Sequence, residues 1–254
     1  MNQQRQAEFE KMVEGIADEK VKTHVSKALK YISDAPRHLI VTNGIAKARE
    51  GGYGELALKL AQLAYQQSTE DPYFMLELCN SLGQPEEVVN EIKKFGERVD
   101  LDSLPQDQRE KILVTLASAY KDMGKMSESI QILEESKTEL ARAIELLAEQ
   151  YYQTGEPQKA IDLLYERIKY IGRLSKEMAF WLAKSFDTLG NYSEALDMLA
   201  QFQEDPTVKP IYDEARKQLG LPIESEDALP FPGEHPQPEQ LRERSAEDDF
   251  STLL

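Results

Sequence analysis

Apolar residues recur along this chain at the three- and four-residue spacing of a single helical face, and no stretch shows the two-residue alternation of a half-buried strand. Phe9, Met12, Val13 and Ile16 form one stripe, and Val21, Val25, Leu29 and Ile32 form a second. Asp34-Ala35-Pro36 then breaks the chain. Beyond it, Gly52, Gly83, Gly124, Gly155 and Gly190 each follow one apolar-periodic run and precede another. Their separations are 31, 41, 31 and 35 residues, the range in which repeats of one supersecondary unit fall.

The runs share more than their length. Four residues before Gly124, Gly155 and Gly190 stand Tyr120, Tyr151 and Phe186; three earlier again stand Ala117, Ala148 and Ala183, each preceded by leucine. Five residues after Gly52, Gly124, Gly155 and Gly190 come Ala57, Ser129, Ala160 and Ala195, and nine after the last three come Leu133, Leu164 and Leu199. A glycine after a helix supplies a left-handed C-cap at low steric cost. Small residues let two helices approach closely, and the aromatic and leucine positions fill the space between one hairpin and the next. Pro85 and Pro157 suit the first turn of second helices. Ser127 and Ser193 are expected to cap two others, and Asp71-Pro72 and Asp102 to Pro105 to open first helices. The 41-residue gap predicts an insertion at Gly96 to Leu104. Val208 to Leu219 reads as one terminal helix whose apolar side is Tyr212, Ala215 and Leu219, ended by Gly220.

This leucine–alanine, aromatic, glycine and small-residue set resembles the tetratricopeptide repeat family over about residues 36–203. The resemblance implies an all-α, right-handed superhelical solenoid of about five helical hairpins at 36–220, including a C-terminal capping helix, preceded by an N-terminal helical hairpin or cap at 1–35. It also implies that the first helix of each repeat lines a concave face. On that face it places Thr42 and Arg49; Tyr73, Glu77 and Asn80; Lys111, Val114, Ser118 and Lys121; Arg142, Glu145, Glu149 and Tyr152; and Phe180, Lys184 and Asp187. Where some relatives clamp a terminal carboxylate with lysine, arginine and asparagine, this chain has Tyr73, Glu77, Val114 and Ser118, which disfavours that kind of clamp.

Composition narrows the partners. The net charge of −16 disfavours nonspecific attraction to phosphate backbones or anionic membranes and suits a basic or neutral protein segment. Residues 221–254 hold nine acidic and two basic side chains and five of the twelve prolines, so they are expected to form an acidic, flexible tail. Its last residues, Asp248, Asp249, Phe250, Leu253 and Leu254, combine acids with apolar anchors in the manner of a short binding motif. With one cysteine, Cys79, no intramolecular disulfide can form. No stretch approaches the roughly 20 apolar residues that span a bilayer, so neither membrane insertion nor a secretory leader is expected and a cytoplasmic location is.

Chemistry is hard to place. His24, His38 and His235 do not cluster with one another or with Cys79, no glycine-rich loop follows a strand, and adjacent glutamates such as Glu86-Glu87 point in different directions on a helix. The sequence nominates no catalytic residue, metal ligand or cofactor. The expected function is a non-enzymatic adaptor or scaffold that grips a partner segment in its groove. The alternative is an assembly chaperone or structural subunit that binds through the N-terminal hairpin, the convex face or the acidic tail. Neither partner identity nor oligomeric state is expected to be legible.

Overall fold

A computed structural model of the chain describes residues 3–32, 38–136 and 140–222; the five tail residues named above lie outside the described residues. Among the described residues thirteen α-helices follow one another: α1 (Gln3–Glu14), α2 (Glu19–Ile32), α3 (His38–Glu50), α4 (Gly54–Gln67), α5 (Pro72–Ser81), α6 (Pro85–Gly96), α7 (Gln106–Asp122), α8 (Met126–Ser136), α9 (Ala141–Gln153), α10 (Pro157–Ile171), α11 (Lys176–Thr188), α12 (Tyr192–Leu199) and α13 (Lys209–Gln218). No strand occurs among the described residues.

From α3 to α12 the helices pair as hairpins. Each second helix packs on the first helix of the next hairpin, and α3, α5, α7, α9, α11 and α13 pack on one another in a row. That row is the inner face of a superhelical solenoid. The repeated small residues sit where it needs them: Ala117, Ala148, Ala183, Ser129, Ala160 and Ala195 are all 0% exposed. The core is continuous because α7 serves two clusters. Its Ile112 and Ala119 join the apolar cluster running back to Phe9, while Val114 and Ala117 join the one running forward to Ala215.

The aromatic–glycine spacing is explained by one hydrogen bond. At Gly124, Gly155 and Gly190 the glycine takes a positive φ of 73°, 80° and 76°. The next residue then donates its backbone N–H to the carbonyl of Tyr120, Tyr151 or Phe186, at 2.9, 2.8 and 2.8 Å. This is the six-to-one closure of a glycine-capped helix, and it anchors the aromatic side chain at a constant distance from the turn. Gly52 repeats it, with Tyr53 N–H donating to Ala48 O at 2.9 Å.

Three expectations are corrected. Gly83 is not left-handed: α5 stops at Ser81 and Leu82 is extended (φ −71°, ψ 143°), so this hairpin turns without a glycine cap. Ser127 and Ser193 cap nothing. The tight closures at Gly124 and Gly190 let α8 and α12 start at Met126 and Tyr192, which puts both serines inside the first turn. Leu219 is 43% exposed, and the buried side of α13 comes from Val208 and Ala215 instead. Asp71 does open α5, accepting from Tyr73 N–H at 2.9 Å, and the insertion is a loop at 97–105 containing a 3-10 turn, Leu101–Ser103.

The N-terminal helices belong to the same body. The helix α2 lies on α3 so closely that a Cβ at Gly44 would sit 2.3 Å from Ala28 Cβ and 2.9 Å from the His24 carbonyl oxygen.

Candidate functional site

The inner face carries a cavity of about 480 Å³ formed by α3, α5, α7 and the start of α9. Eight of the sequence-predicted residues line it: Thr42, Tyr73, Glu77, Asn80, Lys111, Val114, Ser118 and Arg142. Leu39, Leu76, Thr115 and Leu140 line it as well, and sequence reasoning missed them. Two had a readable signal. Leu76 lies three residues from Tyr73 and Leu39 three from Thr42, so each shares a helix face with a residue already nominated. Leu39 is 85% exposed, an unusual place for a leucine unless something covers it.

Val114 is buried and forms part of the floor with Leu76. The rim is polar, with one carboxylate and two cations. Glu77 is held by Arg49, 3.1 Å away, and Arg49 also donates to Ser81 Oγ at 3.5 Å. Burial nevertheless pushes the Glu77 carboxyl above its usual range, outweighing the pull of Arg49. Lys111 has only an exposed ion pair with Asp107, at 3.4 Å one turn away. Arg142 is exposed at the start of α9. Tyr73 accepts from Gln108 Nε2 at 3.3 Å and lies 5.7 Å from the His38 ring.

The remaining predicted residues lie further along the row, and neighbours have already claimed most of them. Lys121 and Glu149 pair across α7 and α9 at 2.7 Å, and Gln153 adds a second donor to Glu149 at 2.9 Å. Glu145 accepts from Ser175 Oγ at 3.4 Å, and burial followed by the nearby Glu177 charge raises its carboxyl. Tyr152 lies 5.7 Å from the Trp181 ring, and Phe180 meets that ring edge-on at 4.9 Å. The Lys184 ammonium stands 5.6 Å from the Tyr152 ring centre and 5.5 Å from that of Phe180. Asp187 is half-buried near the end of α11. Trp181 is the centre of this aromatic group.

Two further cavities exist. One, of about 450 Å³, lies between α1 and α2 and is lined by Phe9, Val13 and Leu29. The other, of about 420 Å³, lies between α8, α9 and α10 and includes Ile144, Leu147, Arg167 and Tyr170. Cys79 is buried beside Met75, and burial pushes its thiol up to about 12, so it is no nucleophile at neutral pH. His38 Nδ1 comes within 2.6 Å of the Asp71 carboxylate, and His24 Nδ1 lies 2.7 Å from Lys20 O. Among the described residues no group of three or more His, Cys, Asp or Glu side chains could hold a metal ion, and no helix is long and apolar enough to cross a membrane.

A row of first helices lining a groove, joined largely by glycine-capped hairpins, is the architecture of a tetratricopeptide-repeat fold, and this chain has that fold. Residues 177–207, which span α11 and α12, match the tetratricopeptide repeat family model. The fold is similar to that of PilW, a type IV pilus biogenesis factor, at 14% identity and a TM-score of 0.60 over 77% of this chain and 99% of that one. It is also similar to TTC0263, a tetratricopeptide-repeat protein of Thermus thermophilus, at 19% identity and a TM-score of 0.50 over 67% and 94%. No curated protein sequence matches the chain.

Proposed function

We propose that this protein is a non-enzymatic adaptor that holds a segment of a partner protein in the inner groove, seated in the cavity walled by α3, α5 and α7. The observation that carries this reading is the cavity itself. Apolar side chains from separate first helices converge on one floor, Leu39 stands uncovered at its edge, and the rim offers the exposed amide of Asn80. Few polar groups around an apolar floor is how a site fixes the orientation of a bound segment.

The net charge of −16 favours a basic partner, but the cavity's own charge has the opposite sign. Its one carboxylate, Glu77, is tied to Arg49, while Lys111 and Arg142 face the opening. Local charge governs contact, so the segment that fits carries apolar anchors and neutral or acidic flanks. The aromatic group around Trp181 acts as a wall further along the groove.

The test is affinity capture from a lysate of the source organism on three full-length proteins: the unaltered chain, Lys111→Glu/Arg142→Glu, and Tyr152→Ala/Phe180→Ala. A partner whose affinity falls at least about tenfold, or about 1.4 kcal/mol, in the charge-reversed protein supports the cavity. Equal capture by all three proteins removes the groove assignment.

One observation favours a second reading, a structural subunit docking through its N-terminal end: the apolar cavity between α1 and α2 at the end of the solenoid. Val13→Glu/Leu29→Glu would abolish assembly in that case. Deleting the N-terminal helices is a poorer test, because it strips α2 from α3.

A further inference from the structure

The cavity on α3, α5 and α7 has a complement within the same chain. We propose that residues 247–254, Glu-Asp-Asp-Phe-Ser-Thr-Leu-Leu, dock into it intramolecularly, with the acids at the Lys111 and Arg142 rim and Phe250 and the leucines on the Leu76 and Val114 floor. This assignment rests on the groove reading above and names the first occupant of that groove.

Charge complementarity is the first argument. The cavity lining holds two cations and one neutralised carboxylate in a protein of net charge −16, and residues 221–254 contribute −7 of that total. Three consecutive acids, 247–249, precede the apolar anchors, matching a site whose floor is apolar and whose rim is cationic. The Lys111–Asp107 pair at 3.4 Å is an exposed contact within one helix, of a kind worth little, so it does not withhold Lys111 from a ligand.

Reach is the second argument, and it selects this segment over another of similar chemistry. Leu229-Pro230-Phe231-Pro232 also follows acidic residues. Neighbouring helix axes lie about 9 Å apart, so α7 and α5 stand roughly 30 and 40 Å from α13 along the row. Residues 223–228, fully extended, cover about 20 Å and stop short of the floor. A segment as long as 223–247 can reach about 80 Å at full extension, and a random chain of that length has a mean end-to-end distance of about 28 Å, close to the span required. A tether matched to its span raises the effective concentration of its end to the millimolar range, so even a weak contact would be occupied. An external partner then binds by displacing the tail.

Cys79 is buried, so a cysteine introduced at Thr252→Cys in the full-length chain can be labelled selectively with a nitroxide. The amide resonances of Thr42, Asn80, Lys111 and Ser118 should broaden, and Lys111→Glu/Arg142→Glu should restore them without changing the melting temperature. A synthetic peptide of residues 245–254 should bind the Phe250→Ser/Leu253→Ser/Leu254→Ser chain about tenfold more tightly than the unaltered chain, the ratio for a tail that occupies its site nine-tenths of the time. Four results would overturn the proposal: no broadening, broadening centred on Leu163 to Tyr170, broadening that grows with protein concentration, or groove broadening that survives charge reversal. If the label leaves the groove sharp while Lys111→Glu/Arg142→Glu still loses a captured partner, self-docking falls and the groove reading stands. If neither peptide nor partner responds to those substitutions, both fall.

Discussion

The two halves of the inner face occupy the same positions of the repeat and have opposite characters. Around α3, α5 and α7 the inner side chains leave an open apolar floor with a polar rim. Around α9 and α11 they close on one another: Tyr152, Trp181 and Phe180 pack in series, Lys184 sits over two of the rings, and Glu149 is held by both Lys121 and Gln153. The difference is one of partner supply. An aromatic or charged residue at an inner position is available to a ligand only if the next helix along does not answer it first. Repeat position tells which side chains face the groove, and neighbour chemistry tells which are free to bind.

The comparison depends on the first half keeping its shape, and the largest predicted effect strikes there. Gly44→Ala would drive a methyl into Ala28 and the His24 carbonyl, forcing α2 off α3. A loss of about 3 kcal/mol is expected in urea unfolding, as for an overpacked core site. A change under about 0.5 kcal/mol would show that α2 is only loosely attached. Next comes the joint between the halves. Ser129 donates to Ala117 O at 2.6 Å and accepts from Gln150 Nε2 at 2.8 Å, and both side chains are fully buried. Ser129→Ala strands the amide of Gln150, and should cost about 2 kcal/mol. Ser129→Gly opens a void as well and should be worse.

The turns give a smaller and cleaner contrast. Gly155→Ala places a Cβ in the left-handed region (φ 80°), with no other atom within 4 Å of it. It should lose about 1 kcal/mol through backbone strain alone. Gly83→Ala, at an ordinary φ, should change stability by less than about 0.3 kcal/mol. Equal losses at the two sites would mean that the hairpins turn alike after all.

That contrast also marks what could be read from the sequence. The spacing of aromatic, glycine and small residues is local chemistry, set by one capped turn, and it marked the hairpin turns at Gly124, Gly155 and Gly190. Gly83 misled because glycine permits the left-handed turn without requiring it. Ser127 and Ser193 misled because a closure bond, invisible in composition, decides where the following helix begins. The cavity was half legible. Its polar rim followed from helix faces, but the pairing of Arg49 with Glu77 and of Lys121 with Glu149 joins residues 28 positions apart. Which inner side chains are left over depends on those pairings. The close approach at Gly44 had no local signal at all, since it is set by the crossing of two helices.

The smallest predicted effect separates the two halves by their buried carboxylates. Both Glu77 and Glu145 have a pKa raised above the ordinary value of 4.5, chiefly by burial. A carboxyl that holds its proton more tightly when folded stabilises the fold fully below its unfolded pKa. It loses that contribution as pH rises through the folded value. Each therefore weakens the protein at pH 7 relative to pH 4. The two should respond differently to an amide. Glu145 has Glu177 as its next influence and only a long bond from Ser175, so Glu145→Gln removes a burdened charge and should raise the urea midpoint at pH 7 while leaving pH 4 nearly unchanged. Glu77→Gln also deprives Arg49 of its counter-ion, so its gain at pH 7 should be cancelled or reversed. If Glu145→Gln shifts the midpoint equally at both pH values, its charge is not what the second half carries at neutral pH. If Glu77→Gln gains as much as Glu145→Gln, Arg49 is not answering Glu77, and the first half's rim holds a free cation more.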